Sequence, residues 1–139
     1  MNIKIRKLKE SDVGKIQKFY KVNGMNNAGR ISNKFLLDCI TSNKYIMIFI
    51  AELNKEIIGA VYFVDQGSLI TIWSLAVSEK YRNQGVGSML IRKGIVYFKK
   101  KKRSMISTIT DPKNIAAINL FKKEGFIHGR KRIRLDKIL

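Results

Sequence analysis

Acidic side chains are scarce: the 139-residue chain has 10 Asp and Glu against 28 Lys and Arg, a formal net charge of +18. A surplus of that size raises the expectation of an anionic partner, whether nucleic acid, an acidic protein surface, an anionic membrane or a phosphorylated cofactor. It bears on association and solubility, not on fold. Cysteine is limited to Cys39, which has no second thiol to pair with. One cysteine and one histidine, His128, do not make a zinc site, so no metal is expected. Long apolar runs are missing too. The longest, Tyr45 to Ala51, is seven residues, far short of the roughly 20 that cross a bilayer. The first residues alternate Ile3 and Ile5 with Lys4 and Arg6, without the apolar core of a secretory signal. Proline occurs once, at Pro112, and there is no repeat or low-complexity linker. These absences lead to the expectation of a soluble, cytoplasmic, metal-free chain forming one domain over residues 1–139. With 45% hydrophobic residues, the charge belongs to a folded protein.

The charge is uneven. Residues 80–139 hold 17 basic and 3 acidic side chains, residues 1–79 hold 11 and 7. Along the chain the pattern changes from one period to another. Ile3 to Lys7 alternates as a half-buried strand does, and Ser11 and Asp12 stand where they could cap a helix with Val13, Ile16 and Tyr20 on one face. Asn23 to Gly29 reads as a loop; Ser32 then caps a helix carrying Phe35, Leu36, Cys39 and Ile40. Cys39 on that face reads as a small core residue. Tyr45–Leu53, Glu56–Asp65 and Ser68–Val77 are rich in Ile, Val, Tyr and Phe and are joined by Asn54-Lys55 and Gln66-Gly67, an antiparallel meander with tight turns. A helix is expected from about Gly85 to Lys100, a strand over Ser104–Thr110, and a helix over Ile115–Glu124 capped by Asn114 and stopped by Gly125. Phe126–His128 and Ile133–Ile138 are expected as two closing strands. The fold class is α/β of the mixed type, one sheet with helices on both faces.

Two segments carry chemistry. In Trp73-Ser74-Leu75-Ala76-Val77 followed by Arg82-Asn83-Gln84-Gly85-Val86-Gly87-Ser88, a strand ends, a loop turns back and glycines open a helix. That arrangement aims backbone N–H groups and the positive helix end at one spot, a cradle for an anion. Gly85 and Gly87 leave room for a phosphate to approach the backbone, and Arg82 and Ser88 could add hydrogen bonds. The bland alternative is a tight strand-to-helix turn. Neither G-x-G-x-x-G nor the Gly-Lys-Ser/Thr of a P-loop is present, which argues against a dinucleotide fold or an NTPase. The second segment, Asn114 to Phe126, follows at the spacing of one helix and one strand.

With both segments in view, the chain resembles the GNAT superfamily of N-acetyltransferases. The family's Arg/Gln-x-x-Gly-x-Gly/Ala motif is matched by Arg82, Gly85 and Gly87. Its Asn-x-x-Ala-x-x-Leu-Tyr-x-x-x-Gly-Phe motif is matched by Asn114, Ala117, Leu120, Gly125 and Phe126. The resemblance covers essentially the whole chain. It implies a meander leading into a splayed parallel strand pair, with acetyl-coenzyme A, the acyl donor, lying in the gap. Pantetheine would pair with the strand around Leu75, Ala76 and Val77, the pyrophosphate would sit on Arg82, Asn83, Gln84, Gly85, Val86, Gly87 and Ser88, and Asn114 would lie near the pantetheine.

The chain departs from the family at two places. Where many members carry an acidic Tyr, it has Phe121, which cannot donate a proton. Where many carry a Glu before the phosphate loop, Ile70 to Ser74 offer no carboxylate. Tyr81, Tyr97, Glu52, Asp65 and His128 remain as side chains with acid–base capacity, and the catalytic residues stay unassigned. Acyl transfer can draw much of its rate from proximity alone. Lys99 to Arg103 and Arg130 to Arg134 form two basic clusters without interleaved aromatics, unlike a single-strand stacking platform. Three readings follow. One is an N-acetyltransferase acting on a primary amine such as a protein N-terminus. The second is a silent coenzyme A-binding module of the same fold. The third is a basic nucleic-acid-binding protein, marked by salt-dependent binding indifferent to coenzyme A.

Overall fold

The structure is a computed structural model and describes residues 1–25 and 31–139. Most of the expected Asn23–Gly29 loop, from residue 26 on, lies outside the described residues. One five-stranded sheet has the order β1 (Lys4–Lys7), β2 (Ile46–Leu53), β3 (Glu56–Asp65), β4 (Ile70–Val77), β5 (Ile106–Thr108). The first four strands are antiparallel neighbours; β4 and β5 are parallel. The Asn54-Lys55 turn has positive φ at both residues, 50° and 64°, the mirror-image turn whose twist suits a two-residue hairpin.

Helices α1 (Val13–Val22) and α2 (Asn33–Thr41) cover one face, α3 (Val86–Lys100) and α4 (Ile115–Lys123) the other. Two cores result because strand side chains alternate between faces. Ile16, Phe19, Tyr20 and Leu36 bury against Ile48, Ile50 and Ala60. Val86, Leu90, Ile91, Phe98 and Phe121 bury against Phe49, Val61, Phe63, Ile70 and Ile72. Ser32 caps α2 through Phe35 N–H at 3.1 Å, Asn114 caps α4 through Ala117 N–H at 3.1 Å, and Gly125 ends α4 at φ +90°.

Several expectations are corrected. Asp12 is not a side-chain cap. Its carboxylate takes two bonds from the Arg6 guanidinium, at 2.6 and 2.8 Å, and one from Lys9 N–H at 2.9 Å. Arg6 also reaches Glu52 at 2.6 Å, so β1, β2 and the start of α1 share one ion network. The strand expected from Ser68 begins at Ile70, because residues 66–69 form the turn closed by Gln66 N–H to Leu69 O. The strand expected over Ser104–Thr110 is only β5, three residues long. The two closing strands do not form at all: residues 126–139 are not strand, and 127–139 lie exposed. Alternation alone does not make a strand; a paired edge does, and this segment has none beside it.

Candidate functional site

Strand β4 is paired with β5 for three residues, Ile70↔Ile106, Thr71↔Ser107 and Ile72↔Thr108, and then continues alone on that side to Val77. The parting coincides with a bulge. Phe63 opposes Ile72 and Tyr62 opposes Ser74, leaving Trp73 as the extra residue. A bulge bends its strand and increases its twist, which carries the end of β4 away from β5. On its other side β4 stays anchored, with Leu75, Ala76 and Val77 opposite Val61, Ala60 and Gly59. The gap therefore has one rigid wall.

Beyond Val77 a 3-10 turn, Glu79–Tyr81, leads to an extended Arg82 and into α3. Asn83 and Gly85 have φ of 59° and 84°. Left-handed residues of this kind turn successive amides toward a common point. The N–H groups from Asn83 to Ser88 donate to no protein acceptor among the described residues; the first α3 bond runs from Met89 N–H to Gly85 O at 3.0 Å. Six backbone donors and the positive end of a 15-residue helix thus stand without a protein partner in the loop that follows β4. Gln84 Nε2 donates to Lys80 O at 3.1 Å and fixes the loop from within.

The two glycines serve different ends. A Cβ on Gly85 would meet nothing within 4 Å, so the position needs glycine for its positive φ. A Cβ on Gly87 would stand 2.9 Å from Leu120 Cδ2. Gly87 is what lets α4 pack against the first turn of α3.

The other predicted residues divide. Arg82 Nε donates to Val77 O at 3.0 Å, tying the loop to the end of β4, while its side chain stays exposed. Ser88 is buried beside the Glu124 carboxylate without reaching hydrogen-bond geometry, so what it offers the loop is its N–H. Arg92 on α3 makes two bonds to Glu124, at 2.8 and 3.1 Å, and holds that carboxyl below the usual range against the opposing effect of burial. Asn114 spends its side-chain oxygen on capping α4. Phe121 is buried, its ring centroid 5.1 Å from that of Phe126.

Of the side chains with acid–base capacity, Glu52 is bound to Arg6 and Asp65 to Arg103. Burial pushes the Asp65 carboxyl up, but Arg103 and the Gly67 N–H outweigh it and leave it below its ordinary value. Tyr97 lies near the far end of α3, packed on Phe49 and Phe98, with Lys7 and Lys101 over its ring. His128 is in the exposed segment. Tyr81, two residues before Asn83, is the one that adjoins the loop. Burial pushes the Cys39 thiol up to about 11, in keeping with a packing role.

The sequence profile of the acetyltransferase (GNAT) family matches residues 17–126. The chain belongs to the GNAT acetyltransferase family. An uncharacterized N-acetyltransferase of Methanocaldococcus jannaschii is 28% identical over 85 residues, 56% of this chain and 38% of that relative's length. The fold is shared with solved structures of low identity. The aminoglycoside acetyltransferase AAC(6')-Iy, solved with a coenzyme A–acetylneamine bisubstrate analog, superposes with a TM-score of 0.84 at 18% identity over 100% of both chains. An aminoglycoside acetyltransferase from an uncultured soil metagenomic sample, solved with trehalose, gives 0.82 at 21%, covering 99% of this chain and 96% of that one. The ribosomal-protein-S18-alanine N-acetyltransferase of Escherichia coli gives 0.74 at 20%, covering 92% and 79%. In this GNAT chain β4 and β5 pair for three residues and part, and the loop before α3 follows β4. No helix among the described residues is long and apolar enough to cross a membrane.

The bulge at Trp73 was not legible in the sequence. A bulge is a matter of register between two strands and leaves no mark in the composition of one.

Proposed function

We propose that this GNAT protein is an acetyl-coenzyme A-dependent N-acetyltransferase. Its donor site comprises Leu75 to Val77, Arg82 to Ser88, and Asn114, within one domain. The observation that carries this reading is the row of unpaired N–H groups from Asn83 to Ser88 next to the open side of β4. A pyrophosphate needs donors and positive potential, and an extended amide-bearing arm needs a strand edge to pair with. In the transfer, the neutral acceptor nitrogen attacks the thioester carbonyl and forms the C–N bond, the C–S bond breaks, and the proton that the nitrogen gives up is balanced by the one the thiolate takes up. An α-amino group suits a site without an evident strong base, since a sizeable fraction is already neutral near pH 8.

The acceptor amine is carried by a neutral or anionic molecule, a protein N-terminus being the preferred case. Two of the three acidic side chains that could have made a local sink for a polycation are occupied, Glu52 by Arg6 and Asp65 by Arg103; Glu56 stands exposed at the β2–β3 turn. The +18 charge opposes polycation approach.

Phe121 favours a second reading, a module that binds coenzyme A without turnover, because the position has no hydroxyl and is packed into the core. Thiol release separates the two. With acetyl-coenzyme A and a panel of neutral and acidic N-terminal peptides, spermidine and an aminoglycoside, a peptide should give the fastest release. Tight coenzyme A binding with no release from any acceptor would select the second reading. Efficient spermidine turnover, highest at low salt, would overturn the acceptor assignment.

A further inference from the structure

A cavity of about 290 Å³ opens between the last turn of α2, the end of β1, the start of β2 and the last turn of α3. Its size is near the lower end of the range that small ligands fill. Helix α3 runs 15 residues from the loop that opens it, roughly 22 Å at 1.5 Å per residue, so the cavity lies at the opposite end of the molecule from the donor site. Leu8, Ile40, Met47 and Ile48 give it an apolar wall.

The charged side chains that line it are of one sign. Lys7, Lys44 and Lys101 contribute three ammonium groups, and no Asp, Glu or Arg is part of the lining. Lys7 Nζ and Lys101 Nζ stand 4.9 and 5.1 Å from the centroid of the same Tyr97 ring, and Lys44 Nζ stands 5.5 Å from that of Tyr45. None of the three meets a carboxylate among the described residues. Asp65 is near enough to feel Lys101, but its oxygens are taken by Arg103 and the Gly67 N–H. A ring face attracts cations without neutralising them. Neutral donors stand with the lysines. The Tyr97 hydroxyl, the Asn43 Nδ2 and the Lys44 backbone N–H donate to no protein acceptor among the described residues, while Asn43 Oδ1 accepts from Tyr45 N–H at 2.9 Å and fixes the amide. The opposing partial charge is that of the α2 carbonyl end, where Asp38 O already accepts from the Ser42 and Asn43 N–H groups.

We propose that this cavity binds a small organic phosphate monoester, with the phosphate among Lys7, Lys44 and Lys101 and a short aliphatic body against Leu8, Ile40 and Met47. A phosphate monoester brings close to two negative charges at neutral pH and three acceptor oxygens. Lysines meet it as point charges from several directions, whereas a carboxylate is matched by the planar fork of Arg, a residue this lining does not contain. Binding here is independent of acetyl transfer, so the loss of either leaves the other testable.

Monobutyl phosphate is the probe, with inorganic phosphate, succinate and sodium chloride of equal ionic strength beside it. In NMR of the full chain the Met47 methyl reports on the cavity, and the Gly85 and Gly87 amides report on the loop before α3, which can itself hold a phosphate. Monobutyl phosphate should shift the Met47 methyl saturably and bind there at least about fivefold more tightly than inorganic phosphate, because its methylenes are buried. The double substitution Lys7→Gln, Lys101→Gln should weaken that binding at least about tenfold. Lys131→Gln, Lys137→Gln removes the same charge elsewhere and should leave it within about twofold at 0.15 M salt, where distant charges are screened. All four lysines are exposed, so the fold is not put at risk. An equal Met47 shift with sodium chloride, or equal weakening by the two double substitutions, would leave only general charge attraction and overturn the proposal. Tighter binding of succinate than of monobutyl phosphate would overturn it in favour of a carboxylate. Shifts confined to Gly85 and Gly87 would overturn it too, placing the phosphate on the loop before α3 alone.

Discussion

Strand β4 has two neighbours and is joined to them in different ways. Toward β3 it is paired from Ile70 to Val77 with one bulge; toward β5 it is paired only to Ile72. On the β3 side the same residues bury Ile70, Ile72 and Phe63 under α3. On the β5 side the backbone of Leu75 to Val77 is left without a strand, beside the unpaired amides of the α3 loop. Chemically similar strands thus serve opposite purposes. The β3 side spends its backbone groups on stability, whereas on the β5 side Val77 O accepts from Arg82 Nε and the backbone at Leu75 faces no strand, and a backbone group left without a strand partner is available to a ligand. The Asp65–Arg103 pair sits at the closed end of the wedge, joining the end of β3 to the residues just before β5.

Overfilling the closed side should have the largest effect. A Cβ on Gly94 of α3 would fall 2.1 Å from the Phe63 ring, which is too rigid to withdraw. Gly94→Val should cost at least about 1–3 kcal/mol of stability from overpacking, read as a drop in the urea midpoint. A midpoint equal to wild type would mean that α3 does not press on β3 as described.

Next comes the open side. Gly85→Glu should lower coenzyme A affinity at least about a hundredfold, since like-charge contact costs several kcal/mol. Gly85→Ala should cost only about 1 kcal/mol of stability for the left-handed backbone. Gly87→Ala should act differently, through the 2.9 Å approach to Leu120, and loosen α4. Calorimetry with coenzyme A, alongside denaturation of the same proteins, separates binding loss from unfolding. Near wild-type affinity in folded Gly85→Glu would remove the pyrophosphate from this loop.

Acid should weaken the closed side in a defined window. Arg6 holds the Asp12 and Glu52 carboxyls below their usual range, and Arg103 with Gly67 N–H does so for Asp65 against the effect of burial. A carboxyl with a depressed folded pKa binds protons more readily when unfolded. Its stabilisation is complete above the ordinary carboxylate range of about 4 and is lost as pH falls through the lower folded values. The urea midpoint should be flat with respect to these groups from pH 7 to about 5 and fall below about 4. Asp12→Asn should flatten part of that fall. An unchanged pH profile in Asp12→Asn would show that the network carries no linkage.

The smallest expected effect is that of Phe121→Tyr. The ring remains in its packing with Phe126, so coenzyme A affinity should stay within about twofold, while the added hydroxyl should raise the rate of thiol release if it reaches the leaving group. Faster turnover in the Phe121→Ala variant than in either would leave the side chain at this position no part in proton delivery.

Much of this molecule was legible from local pattern. The meander, the Ser32 and Asn114 caps, the Gly125 stop and the loop that opens α3 depend on residues close in sequence, and the structure has each of them. Asp12 was misread because a carboxylate before a helix has the same appearance whether it caps or pairs. Its partner, Arg6, is six residues away and meets Glu52 from position 52 at the same point. Gly87 has a packing role that local pattern does not carry, since its close neighbour is Leu120, 33 positions further along. Phe126–His128 and Ile133–Ile138 have strand periodicity and no strand beside them.

The sequence by itself determined the four helices, the three-stranded meander and its two turns, and that glycine and unpaired amides open α3. These follow from the steric preferences of single residues and from hydrogen bonds between near neighbours. Only the tertiary structure decided that β4 bulges at Trp73 and parts from β5, that Ser88 turns inward to Glu124, and that residues 127–139 stand clear of their own sheet. Register, parting and pairing are relations between segments remote along the chain, and each is set by which side chains fill the space between them.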